Sequence, residues 1–274
     1  MPAVTLPSSL ALVGAGKMGG AMLAGWLKVG MDPRGVTVFD PRPSEETMAL
    51  CSAERIGLNP PGATAAPEVL VLATKPQVLD EAAASVDRLL GPRTLLVSIL
   101  AGKTIHDLRA RLPRAHAIVR AMPNLPASIG RGATGAAASP EVEEAQRLVA
   151  DLLLRSVGIV EWLPSEDLLD AVTAVSGSGP AYVFHLAECL AEAGLAAGLP
   201  DELAQRLARA TVTGAGELLF RSELPPARLR ENVTSPGGTT AAALEVLMAR
   251  PGGLADLLRE AVAAAKRRAQ ALSG

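Results

Sequence analysis

The chain reads as an α/β protein, with a doubly wound parallel sheet over residues 1–164 and an all-helical part over residues 165–274. Three observations predict this. A short apolar run, Leu10 to Val13, ends in Gly14, Gly16 and Gly19 and passes directly into a helical pattern (Met22, Leu23, Trp26, Leu27). Strand-like apolar runs then alternate with helical windows as far as Leu163, which is how βα units build a parallel sheet. From Ser165 onward no further β-branched run is found, and helical periodicity fills the rest.

The glycine spacing sets the first element pair. Gly14 permits a tight turn, Gly16 allows close backbone approach to a pyrophosphate, and Gly19 lets the helix pack on the strand while its N-terminus faces the anion. A Rossmann-like dinucleotide-binding domain follows from that reading. The helix Met18 to Lys28 stops at Gly30, and Val36 to Phe39 forms a second strand ending at Asp40, about twenty residues on. Asp40 suits the free ribose hydroxyls of NADH, whereas Arg42 suits the 2′-phosphate of NADPH, so both cofactors stay open.

The alternation continues with a helix from about Ser44 to Arg55, a Pro/Gly/Ala-rich connection from Asn59 to Pro67, and a strand Val69 to Ala73 stopped by Pro76. A helix Val78 to Leu90, a strand Thr94 to Ile99, a helix entered through Thr104 and Asp107, and a strand Ala117 to Arg120 come next. Ala121 to Pro126 leaves that strand as a proline-stiffened loop. Gly132 to Ala138 is weakly strand-like, Ser139 and Pro140 read as N-cap and first helical residue of Glu141 to Ser156, and Gly158 to Leu163 is the last strand.

In the second half Ser165 caps a helix to about Val175. The stretch Ser176 to Pro180 interrupts it before an apolar helix Ala181 to Gly198, and Asp201 caps another to about Arg221. Two more follow the stretch Asn232 to Thr240. Helices this apolar need a partner beyond their own domain, which predicts an intimate homodimer.

Composition excludes several classes. With 49% hydrophobic but 2% aromatic residues, the cores must be built from Ala, Leu and Val. A formal charge of −2 without a Lys/Arg-rich block gives nucleic acid no purchase. Cys51 and Cys189 have neither C-x-x-C spacing nor a nearby metal-ligand pattern, so free thiols in a reducing cytosol are expected, and no metal. The apolar window Val183 to Leu199 is interrupted by His185, Glu188 and Glu192, which fits a buried helix and not a membrane span. No basic n-region precedes the first strand, so no signal peptide is read and a cytoplasmic location is expected.

Two stretches have compositions that packing alone does not require. Ser176 to Ala181 (SGSGPA) spends glycines that would weaken a plain helix. Asn232 to Thr240 (NVTSPGGTT) puts Gly237 and Gly238 before Thr239 and Thr240 at a helix start, offering amides and hydroxyls to a carboxylate or phosphate. Taken with GAGKMG, ATKP, AMPNLP and DAVTAVSGSGPAY, in this order and spacing, the chain closely resembles the pyrroline-5-carboxylate reductase family over essentially its whole length.

The resemblance implies reduction of the cyclic imine 1-pyrroline-5-carboxylate to L-proline with NADPH or NADH, and a helical dimerisation and substrate domain. It also implies dimers assembled into larger rings, often decamers. Carried over residue by residue, Gly14, Ala15, Gly16, Lys17, Met18 and Gly19 would hold the pyrophosphate, and Asp40 and Arg42 the adenosine end. Ala73, Thr74, Lys75 and Pro76 with Ile99, Leu100 and Ala101 would line the ribose and nicotinamide, beside Asn124. Where the family usually has serine, asparagine or arginine this chain has Asp40, and Asn59 is its one candidate for an adenine-ribose contact.

On the substrate side, Ser235, Gly237, Gly238, Thr239 and Thr240 would receive the carboxylate, with Ser176, Glu166, Glu231 and Asn232 as neighbours. Thr240 is the expected catalytic residue, donating a hydrogen bond to the ring nitrogen. A 3-hydroxy-acid dehydrogenase is the rival reading, but it needs a lysine or histidine acid/base at the domain junction, and the helix there offers only His185 among apolar residues. His106 and His116 read as structural.

Overall fold

The structure, a computed structural model, describes residues 5–62 and 65–272. Ala63 and Thr64 of the Asn59 to Pro67 connection, with residues 1–4 and 273–274, lie outside the described residues. The chain divides into two compact units, one running through Gly177 and including the chain end from Lys266, the other from Ser178 to Ala265. The strands end at Trp162, close to the expected domain boundary at Pro164, while the compact units divide after Gly177.

The first unit holds an eight-stranded sheet: β1 (Leu10–Val13), β2 (Val36–Phe39), β3 (Gly57–Leu58), β4 (Val69–Leu72), β5 (Leu95–Ser98), β6 (Ala117–Met122), β7 (Gly132–Ala138) and β8 (Gly158–Trp162). Their order is β3-β2-β1-β4-β5-β6-β7-β8, so the chain reverses direction between β2 and β4, on either side of β1. All neighbours are parallel except β6 and β7. This one antiparallel pair departs from the expected all-parallel sheet, because a short loop returns the chain directly beside β6 with no crossover helix.

Burial on both faces explains why these strands read as continuous apolar runs rather than alternating ones. Leu10, Leu12, Val36, Val38, Val69 and Val71 face one core with Met22, Trp26 and Leu153; Ala11, Val13, Leu70 and Leu72 face the other with Leu79, Val86 and Leu108. The helices of the first unit are α1 (Lys17–Lys28), α2 (Glu45–Glu54), α3 (Leu79–Leu89), α4 (Ile105–Arg111), α5 (Glu144–Arg155) and α6 (Leu169–Val172). Trp26 on α1 is fully buried and donates its indole N–H to the Leu153 carbonyl at 2.9 Å, fastening α1 to α5. Truncating such a side chain to alanine costs about 3–5 kcal/mol.

Several local expectations are corrected. Ser139 is not the cap of α5, which begins at Glu144 behind a reciprocal Glu143–Gln146 capping box. Ser139 instead extends the β6–β7 ladder, its N–H donating to the Ile118 carbonyl and its hydroxyl accepting from the Ile118 N–H. The SGSGPA stretch interrupts the helix as expected, with a bend at Ser178 before the next helix begins at Gly179. Thr173–Gly177 forms a wide π-type turn between α6 and the next helix, which absorbs the extra residue that glycines tolerate.

The second unit comprises α7 (Gly179–Ala196), α8 (Asp201–Arg221), α9 (Pro226–Asn232), α10 (Thr239–Leu247) and most of α11 (Leu254–Leu272). The short α9 escapes the sequence reading, and Asp201 is the first helical residue, behind Pro200, rather than the cap. Helices α7 and α8 pack closely where Gly194 meets Ala204, a Cβ at Gly194 lying 3.2 Å from the Ala204 methyl. Against expectation, α7 has no buried residue within the single chain, so its apolar cover is not supplied by this chain. No helix among the described residues is long and apolar enough to cross a membrane.

Candidate active site

In open α/β sheets ligands collect beyond the carboxyl ends of the strands where the strand order reverses. Here that place is the end of β1. The Gly14 N–H donates to the Phe39 carbonyl at 2.8 Å and the Ala73 N–H to the Val13 carbonyl at 2.8 Å, while the Ile99 N–H reaches the Leu72 carbonyl at 3.0 Å. The ladder thus sets the ends of β2, β1, β4 and β5 side by side. Gly14, Ala73 to Pro76 and Ile99 to Ala101 are brought to one edge, as expected from the sequence.

Two glycines of the loop are required by crowding and one by openness. Gly14 has φ +89°, and a Cβ there would lie 2.8 Å from the backbone of Ala73 and Thr74. A Cβ on Gly19 would lie 2.2 Å from the Gly14 carbonyl oxygen. Nothing stands within 4 Å of a Cβ built on Gly16, so its face is open space against which a ligand's backbone can lie. Gly16 is also the N-cap of α1, and neither a capping side chain nor an acidic residue occupies that first turn. The leading amides of a helix have no intrahelical partner, so those at Lys17 and Met18 are available to an anion.

A cleft of about 1010 Å³ opens beside this loop, lined by Ala15 to Met18, by Ser44 to Thr47 of α2 and by Pro123 to Leu125. The Thr74 hydroxyl is buried at the strand edge without a hydrogen-bond partner, an orphan that a bound group can satisfy. Open glycine, uncapped amides and orphaned hydroxyl together fit the pyrophosphate and ribose of a dinucleotide.

The loop is braced by residues around it. Asp40 accepts from the Ala15 N–H and from the Arg42 N–H, both at 2.8 Å. Asn59, in a left-handed conformation after β3, grips the Asp40 main chain from both sides, accepting from its N–H at 2.9 Å and donating to its carbonyl at 2.7 Å. Thr47, buried on α2, donates its hydroxyl to the Ala15 carbonyl at 3.1 Å. Thr47 escapes the sequence reading; Ser44 three residues before it, which caps α2, was its only signal.

Other expected site residues are engaged in the scaffold. Asn124 is buried, donating to the Ser176 carbonyl at 3.0 Å and accepting from the Ala133 N–H at 2.9 Å, so it ties the 123–126 loop to β7 and to the π-type turn. Ser176 turns its hydroxyl back to the Val172 carbonyl. Glu166 accepts from the Ile105 N–H at 3.0 Å and pairs with the buried Arg120 guanidinium at 2.5 Å. Arg120 is a buried charge that the sequence reading passed over. Leu100 points into the core, while Ile99 and Ala101 stay accessible.

In the second unit, Gly237 (φ +69°) turns the chain into Gly238, the N-cap of α10, and no side chain caps this helix. Thr239 and Thr240 are its first two residues, so uncapped amides and two hydroxyls share one helix start. Ser235 lies in the turn, its carbonyl accepting from the Gly238 N–H at 3.0 Å. Asn232 ends α9, and Glu231 pairs with Arg228 at 2.8 Å on the surface. His106 and His116 are exposed, and His185 is also exposed, against Glu188 and Cys189.

Residues 166–272 match the model for pyrroline-5-carboxylate reductase dimerisation, and residues 9–102 match that for the NADP oxidoreductase, coenzyme F420-dependent family. A pyrroline-5-carboxylate reductase of Synechocystis sp. is 43% identical, with 96% of this chain and 97% of the relative covered. One of Pseudomonas aeruginosa is 38% identical, with 96% of each covered. Among solved structures, the Coxiella burnetii reductase superposes with a TM-score of 0.89 at 34% identity, covering 98% of this chain and 99% of that one. The Plasmodium falciparum pyrroline carboxylate reductase with NADP bound gives 0.79 at 26% identity, covering 98% and 100%. With a site edge, a glycine loop and a helical half all matched along nearly the full length, the chain belongs to the pyrroline-5-carboxylate reductase family.

Proposed function

We propose that the protein reduces 1-pyrroline-5-carboxylate to L-proline, the last step of proline biosynthesis, using NADPH or NADH. The observation that carries this is 43% identity across 97% of a reductase of that name. The chemistry supplied by a bound reduced nicotinamide is one hydride delivered to the imine carbon.

The chain's own residues bind and orient. Amides at Lys17 and Met18 hold the pyrophosphate, Asp40 braces the loop that presents them, and Ala73 to Pro76 with Ile99 and Ala101 line the ring end. Ser235, Gly237, Gly238 and Thr239 receive the substrate carboxylate at the uncapped start of α10, with Glu231 and Asn232 just before them in the chain. Thr240 donates its hydroxyl hydrogen bond to the ring nitrogen, where it favours the protonated, more electrophilic imine. A cyclic imine is already basic, so this is assistance worth roughly 10²- to 10⁴-fold rather than full proton transfer.

The assembly in this proposal is a homodimer through the exposed apolar faces of the second unit, with dimers arranged into a decamer-type ring, and the location is the cytoplasm. The test follows NADH and NADPH oxidation by purified protein with racemic pyrroline-5-carboxylate, with a 3-keto acid as control. Oxidation with the imine alone is expected. Turnover of the keto acid, or none with either substrate despite cofactor binding, rejects the proposal.

A further inference from the structure

NADH and NADPH differ only at the adenosine ribose, where NADPH carries a 2′-phosphate. The start of α2 lines the glycine-loop cleft, and Asp40 at the end of β2 is bonded to Ala15 on its wall, at the position where an acidic residue meets that ribose in dinucleotide-binding folds. We infer that this chain takes NADH in preference to NADPH and that Asp40 is the discriminating residue; the inference rests on the nicotinamide-dependent reading above.

Asp40 is held in place from several directions. Its carboxylate accepts the Ala15 and Arg42 N–H groups, and Asn59 clamps its main chain on both sides. It cannot swing away from a phosphate without releasing the glycine loop. A carboxylate offers about four acceptor sites, and with one bond on each oxygen here, both oxygens keep capacity for a ribose hydroxyl.

The surroundings add charge of the same sign. A helix start attracts phosphate, but that of α2 has its Ser44 cap satisfied against the Thr47 N–H and carries Glu45 and Glu46 in its first turn. Both glutamates line the cleft together with Ala15 and Lys17. Lys17 belongs to the pyrophosphate end that the two cofactors share, so it does not discriminate. Glu45, Glu46 and the guanidinium of Arg42 are all exposed, so solvent and salt screen them alike, and Asp40 is the charge held against the glycine loop. Asp40 outweighs Arg42 because its carboxylate is bonded to the glycine loop and so fixed there.

Isothermal titration of the full chain with NADH and with NADPH, without any imine, tests this. The wild type should bind NADH tighter by about tenfold or more. Asp40→Asn keeps an acceptor for the Ala15 N–H while removing the charge, and should shift the ratio of the two dissociation constants toward NADPH by about tenfold. Glu45→Gln combined with Glu46→Gln leaves the loop bonds untouched and should shift it in the same direction by a smaller factor. Equal or tighter NADPH binding by the wild type, or an unmoved ratio in both variants, overturns the inference. Because no imine is present, failure of the reductase reading would show as discriminating NADH binding without imine reduction, a different result.

Discussion

The two compact units solve the problem of apolar surface in opposite ways. In the first, the strands are sandwiched by helices and residues such as Leu12, Trp26, Leu70 and Leu96 are fully buried. In the second, α7, α9 and α10 have no buried residue, α8 buries only Ala204 and Ala208, and Phe184, Leu218 and Leu219 are half or more exposed. A polar-lined loop on a self-sufficient core is pre-formed by one chain. The helical unit lacks the large buried side chains that hold a domain together alone, so its shape depends on what covers those faces. The glycines follow the same contrast: Gly14 and Gly19 are forced by neighbouring backbone, whereas Gly237 stands in open space and is needed for its φ of +69°.

The sharpest way to separate the units is at their chemistry. Thr240→Val should lower kcat for pyrroline-5-carboxylate by roughly 10²- to 10⁴-fold, while NADH binding measured by titration and the melting temperature stay unchanged. A normal kcat would remove Thr240 from the reaction and leave it an ordinary helix-start residue.

Assembly comes next. Leu186→Glu places a charge on the exposed apolar face of α7; each copy should forfeit about 1.5–3 kcal/mol of leucine burial in a dimer and add an unpaired charge. Sedimentation equilibrium should then report monomer, with NADH binding by the glycine loop retained. A dimer of undiminished affinity would break the contrast between a self-sufficient unit and a dependent one.

The glycines give a smaller, paired effect. Gly19→Ala sets a methyl 2.2 Å from the Gly14 oxygen, and should cost about 1–3 kcal/mol of stability together with NADH affinity. Gly237→Ala meets no neighbour and should cost about 1–2 kcal/mol for its left-handed backbone, with the KM for the imine raised and NADH affinity intact. Thermal melts and titrations on both variants read the difference.

Legibility divides along the same line. The strand ends, Gly14 to Gly19 and the Thr104–Asp107 capping box were readable, because local spacing and periodicity decide them. Ser139 was misread since its role, completing the β6–β7 ladder, depends on a strand twenty residues away. Arg120 and Thr47 were invisible for that reason too: their partners, Glu166 and the Ala15 carbonyl, become neighbours only in the folded sheet. In the second half helical periodicity was clear, but α7 was expected to be buried, and one chain does not supply its cover. Asn124, which lines the cleft, and Glu166 also make scaffold bonds that a linear reading cannot display.

The smallest effect concerns two aspartates, one in each unit, both at helix starts. At Asp107 burial pushes the carboxyl pKa up, but hydrogen bonds from the Thr104 hydroxyl and N–H, with Lys103 and Arg111 nearby, outweigh it and hold the value below the ordinary range. Asp256 is lowered by the Gly252 N–H first, with Arg250 and Arg259 adding to it. A carboxylate whose folded pKa lies below its unfolded value of about 3.9 stabilises the fold above that pH. The contribution is lost as pH falls through the folded value. Asp107→Asn should therefore lower the melting temperature by about 2–4 °C at pH 7, the size expected for a cap worth about 1 kcal/mol. The gap to wild type should close as pH drops below about 4. Asp256→Asn should show the same closing gap. A gap at Asp107 that persists unchanged in acid would mean that the shape of the capping box, and not its charge, is what α4 requires.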